Sequence, residues 1–216
     1  MKFVKTLLAA SIAAAAFGAQ ATDYIKNGSF EANVQGEQSW KIYDELNFWE
    51  GDPNIELRNS VAGEAYDGQN FVELDTKMST GGNSSMYQEF SASGDVDFSF
   101  FYSARPKVVA ATSNGLRYTL RNMTGGYDVD TGTVLEGVQG GSAHSWQEYT
   151  ERFVLGATTS TFRLTFSAIG LSDSYGGSLD KVSITSAVPE PESYAMMLAG
   201  LGLMGAIARR RKAKAA

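Results

Sequence analysis

Two carboxylates, Glu73 and Asp75, have the side-chain chemistry that cleavage of a glycosidic bond requires. They are two residues apart, so on a β-strand they would lie on the same face. A glycosidase uses such a pair, with one group as the acid and the other as the base or nucleophile. In glycosidases with this spacing, a further carboxylate five residues after Glu73 completes the acid–base pair. Met78 occupies that position here, so the catalytic pair is incomplete.

Glu73-Leu74-Asp75 resembles only the start of the E-x-D-x-x-E signature of laminarinase-type β-sandwich glycosidases. The other reactive side chains do not predict catalysis either. The one histidine, His144, follows a Gly-Ser-Ala segment, and no G-x-S-x-G elbow, cysteine or histidine cluster accompanies it. We therefore expect structural or solvated roles for these residues, and a protein that is not an enzyme.

Aromatic side chains in polar segments are better candidates for ligand binding, because sugar rings stack on aromatic faces through their C–H surfaces. Tyr43 and Trp49 lie in a polar stretch that lacks strand alternation, and Tyr127 and Tyr175 each adjoin a glycine. Aromatic residues in loops are often functional, so these four are predicted to contribute to a glycan site. For Tyr43 and Trp49, burial is the open alternative.

Arg105 directly precedes Pro106 at the end of a predicted central strand. At the edge of a cleft, its N–H donors could bind sugar hydroxyls or a uronate carboxylate. A buried arginine would instead pair with Glu56, Glu73 or Asp75. The sequence leaves both interpretations open, and Arg105 is retained as a candidate glycan ligand.

Short β-strands are the elements that must position these residues. Polar and apolar residues alternate in segments such as 96–103 and 161–168, which are rich in aromatic and β-branched residues. Thr124-Gly125-Gly126 is expected to form a hairpin turn. Further strands are predicted at residues 55–57, 71–74, 85–90, 116–121, 146–154 and 178–185. The sequence therefore predicts an all-β fold, an antiparallel β-sandwich.

The N-terminus has the pattern of a secretory signal peptide. Lys2 and Lys5 precede the apolar residues 7–17, and Ala19-Gln20-Ala21 has the small-x-small pattern that signal peptidase accepts. The apolar run is about half of the roughly 20 residues that span a bilayer. Residues 1–21 are therefore predicted to be a signal peptide, and residues 22–186 the β-sandwich domain.

The body of the chain is acidic and lacks cysteine. The whole chain has 18 basic and 24 acidic residues. Residues 1–21 and 187–216 together contain seven of the basic and two of the acidic ones, so the remaining body, residues 22–186, has a net charge of −11. Nucleic acid and anionic lipid are therefore poor partners. An exported domain without disulfides must be held by its core or by a metal, and excess carboxylate suits Ca²⁺.

The C-terminal segment combines a Pro-Glu-Pro motif, an apolar stretch and a basic end. As a helix, the apolar residues 194–208 would extend about 22 Å, short of the roughly 30 Å hydrocarbon core of a membrane. The basic residues 209–214 would stay on the cytoplasmic side. A transmembrane helix formed by this segment is therefore expected to be marginal, with only transient membrane contact.

In this order, the three features resemble the PEP-CTERM sorting signals of exported bacterial proteins. The resemblance covers residues 187–216 and depends on Pro189, Glu190, Pro191, Arg209, Arg210 and Arg211. It implies recognition and removal of the segment by a membrane-embedded exosortase. The mature protein would be delivered to the cell surface or extracellular matrix of a Gram-negative-type bacterium.

A second resemblance covers nearly all of residues 22–186. The opening Asn27-Gly28-Ser29-Phe30-Glu31 and the closing GGSLDKVSI, residues 176–184, are similar to galactose-binding-like jelly rolls and to some carbohydrate-binding modules. This resemblance implies a jelly-roll fold, glycan binding and a structural Ca²⁺ shared by Glu31 and Asp180. The alternative for both carboxylates is bonding to nearby backbone N–H groups.

The same resemblance places Trp40 and Trp146 at strand starts, where core packing is expected. The sequence thus predicts a non-enzymatic surface protein that binds polysaccharide and contributes to a matrix or biofilm. The alternatives are a structural protein that acts through protein–protein contacts, and a glycoside hydrolase. The expected partners are signal peptidase, an exosortase and a glycan.

Overall fold

The structure is a computed structural model that describes residues 21–76, 82–110, 112–187, 200–202 and 204–205 of the 216-residue chain. Asp23–Ser186 forms one compact unit. Separately from it, residues 200–202 and 204–205 are helical. Within the described residues, no helix is long and apolar enough to cross a membrane. The predicted signal peptide before Ala21 and the sorting residues Pro189 to Pro191 and Arg209 to Arg211 lie outside the described residues.

The described part of the chain contains ten strands: β1 Ser39–Leu46, β2 Trp49–Asn59, β3 Asn70–Glu73, β4 Ser85–Ala92, β5 Asp95–Ser103, β6 Leu116–Asn122, β7 Tyr127–Val134, β8 Gln147–Val154, β9 Ser160–Ala168 and β10 Ser178–Ser186. Their hydrogen-bonded order is β7-β6-β9-β4-β2-β3-β10-β5-β8, and β1 pairs with β2. Residues 50–52 of β2 pair with β4, and residues 56–59 pair with β3. One strand therefore joins the two halves of the sheet.

The two halves pack face to face around an aromatic core. The ring centroids of Phe98 and Phe100 in β5 lie 6.4 and 5.1 Å from that of Phe166 in β9, although several strands separate β5 from β9 in the sheet. Alternation sends these side chains inward, and all three are buried. The fold is therefore a curled antiparallel jelly roll, which confirms the predicted β-sandwich.

Eight of the ten strands overlap the predicted ones, and the predicted hairpin turn joins β6 to β7. Gly126 N donates to Asn122 O at 2.8 Å, and Gly126 has a φ of 73°, a conformation that glycine adopts easily. The prediction missed β1 and β7. Both have few buried residues, so neither shows the apolar alternation by which a strand is recognised.

Candidate functional site

The side of β2 that faces away from the core carries charged residues. Ile55 and Leu57 point into the core, and Glu56 and Arg58 point to the opposite face because side chains alternate along a strand. All four are buried, so the charged side of β2 is covered as well. The strand register sets Glu56 opposite Glu73 of β3. Two carboxylates and a guanidinium thus share a region with little access to water.

Two arginines neutralise these carboxylates. Arg58 forms ion pairs with Glu56 and with Glu73, where its Nε lies 3.1 Å from Glu73 Oε2. Arg105 extends from the segment after β5 and places Nη1 2.6 Å from Glu73 Oε1. Burial raises the pKa of Glu73 to about 7, against the lowering effect of the two guanidinium groups. Glu73 therefore fixes the position of both arginines.

Buried carboxylates also hold the loop that carries Tyr175. Gly176 N donates to Glu73 Oε1 at 2.9 Å, while Asp173 N and Tyr175 N donate to Asp75 Oδ2 at 3.0 and 3.3 Å. A Cβ on Gly176 would lie 2.9 Å from Asp75 N, so the close approach depends on glycine. The carboxylates that suggested glycosidase chemistry thus position a loop in this structure.

Tyr175 and Trp40 place their rings over the two guanidinium groups. The Cζ atom of Arg105 lies 4.7 Å from the Tyr175 ring centroid, and that of Arg58 lies 5.8 Å from the Trp40 ring centroid. Each aromatic residue remains 46% exposed. The rings border a cleft of about 390 Å³, here called the small cleft, which is lined by Trp40, Glu56, Arg58, Val61, Arg105, Ser174 and Tyr175.

A second cleft of about 950 Å³, the large cleft, adjoins the small cleft at Arg105 and Tyr175, which line both. Trp146 lines it and donates from Nε1 to Glu64 O at 3.0 Å. His144 lies beside Trp146, with Nδ1 2.8 Å from the same carbonyl oxygen, and burial lowers the pKa of its imidazole. The rings of the large cleft are therefore held by main-chain contacts.

Of the five predicted glycan ligands, the structure brings Arg105 and Tyr175 together. Arg105 pairs with buried Glu73, as its structural interpretation predicted, and it also lines both clefts. Binding of a sugar by Arg105 stays a prediction. Tyr43 lies in β1, half-buried against the core, and its hydroxyl donates to Gln35 Oε1 at 2.9 Å. Tyr127 begins β7 and is 55% exposed, so it is not the loop residue that was expected. Neither of these two tyrosines lines the small cleft or the large cleft.

Trp49 was a candidate for a surface platform, with burial as the alternative, and the structure shows that it is buried. Trp49 is 1% exposed, and its ring packs 5.9 Å from Phe30 and 6.4 Å from Phe166. It opens β2 with its side chain directed into the core, where Nε1 donates to Asn27 O at 3.1 Å. Core packing was expected for Trp40, but half of this residue is exposed at the small cleft.

Glu31 and Asp180 bind the same loop from two sides. Glu31 Oε1 accepts from the backbone N–H groups of residues 69 and 70 at 2.8 and 2.6 Å, and Asp180 Oδ2 accepts from those of residues 66 and 67 at 2.8 and 2.9 Å. Burial raises the pKa of Asp180 to about 7. One carboxylate oxygen of Glu31 and one of Asp180 are thus each occupied by two backbone N–H donors. Among the described residues, no three Asp, Glu, His or Cys side chains form a metal-binding group. Calcium binding at Glu31 and Asp180 stays a prediction.

Trp40, Glu56 and Arg58 were not predicted as cleft residues. One signal was present, because Glu56 stands between apolar Ile55 and Leu57 in the predicted strand 55–57, and Arg58 follows that strand directly. The position of Trp40 beside them depends on the register of β1 against β2, which sets Trp40 opposite Arg58. Since β1 was not predicted, this neighbourhood could not be inferred.

The clefts combine exposed aromatic faces with polar groups that are already fixed. Such sites suit a ligand that has apolar C–H faces and hydroxyl groups at its edges. The rings offer exposed contact area, and the guanidinium groups beside them are held by buried carboxylates.

The fold is shared with solved proteins of low sequence identity. A Stig cyclase from Fischerella sp. TAU matches with a TM-score of 0.55 and 16% identity, over 79% of this chain and 100% of that chain. An apo cyclase from Fischerella sp. matches with a TM-score of 0.56 and 16% identity, over 79% and 98%. TmCBM61, solved with β-1,4-galactotriose, matches with a TM-score of 0.50 and 18% identity, over 76% and 97%. These likenesses show the fold alone.

No curated protein matches the chain in sequence. Residues 187–212, however, match the PEP-CTERM protein-sorting motif. This match includes the Pro-Glu-Pro residues and the arginines on which the sequence-based resemblance depends. The chain therefore carries a PEP-CTERM sorting motif, the signal of an exported protein, after a curled antiparallel jelly-roll domain whose fold it shares with the two cyclases and TmCBM61.

Proposed function

We propose that the domain Asp23–Ser186 binds a glycan at the small and large clefts without cleaving it. One observation carries this proposal: Tyr175 and Trp40 are both half-exposed, and each lies over a guanidinium group that buried carboxylates hold in place. Rings that are fixed before the ligand arrives lose little conformational entropy on binding. Their free surface is available for the apolar face of a sugar.

The sorting motif supports a site of action outside the cell. Cleavage of residues 187–216 by an exosortase would deliver the domain to the cell surface or to the extracellular matrix of a Gram-negative-type bacterium. Polysaccharide is abundant in such a matrix, and a binding domain there would contribute to a biofilm. Signal peptidase would act first on residues 1–21.

The proposal is tested by pull-down of the purified protein with insoluble polysaccharides and immobilised exopolysaccharides, with and without Ca²⁺. We expect retention on at least one glycan, and a loss of about tenfold or more in affinity for Tyr175→Ala, equivalent to about 1.4 kcal/mol. Tyr127→Ala is the matched control, because Tyr127 is also exposed but lines neither cleft. Failure to bind any glycan under either condition would overturn the proposal.

One observation favours a hydrolase as the second candidate. The raised pKa of Glu73, about 7, lies in the range of a general acid. The carboxylate is nevertheless fully buried and paired with Arg58 and Arg105. Release of reducing ends from a bound polysaccharide, abolished in Glu73→Gln, would support the hydrolase. Binding without such release supports the non-enzymatic function.

A further inference from the structure

We infer that the clefts select a chain of several uncharged sugar residues and discriminate against anionic glycans. The inference rests on the proposed function and names the ligand class of the same site. It follows from the charges that line the clefts and from the way the two clefts adjoin.

The small cleft offers no unpaired positive charge. Arg58 is engaged by Glu56 and Glu73, and Arg105 is engaged by Glu73 and by Ser174 O at 2.8 Å. A carboxylate or sulfate on a sugar would place a further negative charge beside Glu56 and Glu73, and it could gain a full guanidinium charge only by displacing one of them. Breaking such a pair strands a buried charge, which is strongly unfavourable. Hydroxyl groups, in contrast, can bond to the remaining N–H donors while the ion pairs stay intact.

The large cleft is balanced in charge. Its cationic lining residues, Arg105 and Lys107, are matched by Glu64 and Asp173. The body of the chain has a net charge of −11, which repels an approaching polyanion. Both the local and the overall electrostatics therefore favour a neutral ligand.

The arrangement of the rings indicates a chain rather than a single sugar. Trp40 lines only the small cleft, Trp146 lines only the large cleft, and Tyr175 lines both. Volumes of about 390 and 950 Å³ each fall within the ~300–1,000 Å³ typical of ligand sites. A ligand that contacts Trp40, Tyr175 and Trp146 together must extend through both clefts.

Titration calorimetry with matched oligosaccharides tests the inference. The neutral probes are disaccharides and hexasaccharides of β-1,4-galactan and of cellulose, and the anionic probes are oligogalacturonates of the same lengths, each at low and high salt. We expect a neutral hexasaccharide to bind about tenfold or more tightly than its disaccharide, with less than a roughly twofold change on adding salt. Trp40→Ala and Trp146→Ala should each weaken hexasaccharide binding by roughly fivefold or more.

Oligogalacturonates that bind more tightly than the neutral chains, with an affinity that falls in high salt, would overturn the inference while leaving glycan binding intact. Equal affinity for disaccharide and hexasaccharide would overturn the extended site. Absence of binding by every probe and by the polysaccharides of the pull-down would overturn the proposed function itself. The variants are compared only after their melting midpoints are shown to match that of the wild type.

Discussion

Arg105 connects a fully buried carboxylate to an exposed aromatic ring. Its Nη1 lies 2.6 Å from Glu73 Oε1, and its Cζ lies 4.7 Å from the ring centroid of Tyr175. The loop that carries Tyr175 is also bonded to Glu73 through Gly176 N. The stability of the domain and the orientation of the proposed binding ring therefore depend on the same side chains.

Replacing Arg105 with leucine should destabilise the fold by about 1–3 kcal/mol, because Glu73 loses a charged donor in a buried site while it keeps its ion pair with Arg58. Urea unfolding followed by tryptophan fluorescence measures the change. Arg121→Leu is the matched control. Arg121 forms a pair of similar length with Asp128, 2.7 Å, but both side chains are about half exposed, so its loss should cost at most about 1 kcal/mol. Equal effects of the two substitutions would contradict the role given to Glu73.

Two tryptophans nine residues apart should behave in opposite ways. Trp49→Ala removes a large side chain from the core and should lower the free energy of unfolding by about 3–5 kcal/mol. Trp40→Ala should change stability far less, since half of Trp40 is exposed, but it should weaken glycan binding by roughly fivefold or more. Thermal melting and glycan titration of both variants provide the comparison. A Trp40 variant that binds like the wild type would contradict the site.

Asp180 should make stability depend on pH. Burial raises its pKa from 3.8 to about 7, so the folded protein keeps a proton that the unfolded chain releases in this interval. The free energy of unfolding contributed by Asp180 therefore falls as pH rises from about 4 to about 7, by up to about 1.4 kcal/mol per pH unit, and levels off above.

Urea unfolding of the wild type and of Asp180→Asn across this range, in EDTA, tests the prediction. Other titrating groups are common to both proteins and cancel in the difference. The stability of the wild type relative to the variant should increase as pH falls. A difference that stays constant, or that grows as pH rises, would show that the pKa of Asp180 is not raised.

Calcium shared by Glu31 and Asp180 predicts a higher melting midpoint in CaCl₂ than in EDTA. An ion that binds only the folded state stabilises it by about 2.7 kcal/mol at 100 times its dissociation constant. Glu31→Gln should abolish the difference between the two conditions. Identical midpoints for the wild type in CaCl₂ and EDTA would contradict the calcium prediction and leave backbone hydrogen bonding as the role of both carboxylates.

The sequence predicted those strands in which burial alternates, such as β5 and β9. It did not predict β1 and β7, because strands that expose most of their side chains carry no periodic apolar signal. Tyr127 and Tyr43 were consequently assigned to irregular segments. Both belong to strands that exist because a neighbouring strand pairs with them.

The candidate site was predicted in part. Arg105 and Tyr175 were identified from local features, a position after a central strand and a neighbouring glycine. Glu73 was one of three carboxylates proposed as the partner of Arg105, but the choice among them depends on a contact across 32 positions of the chain. The burial of Trp49 likewise depends on Phe30 and Phe166. Contacts of this kind are set by tertiary packing, which local patterns do not encode.

A crystal structure of the protein with its tightest-binding oligosaccharide is the most direct test of the proposed glycan site. We expect sugar rings stacked against Trp40 and Tyr175 in the small cleft, with the chain continuing past Arg105 towards Trp146. Sugar bound at another surface, with the rings of Trp40 and Tyr175 free of ligand, would contradict it.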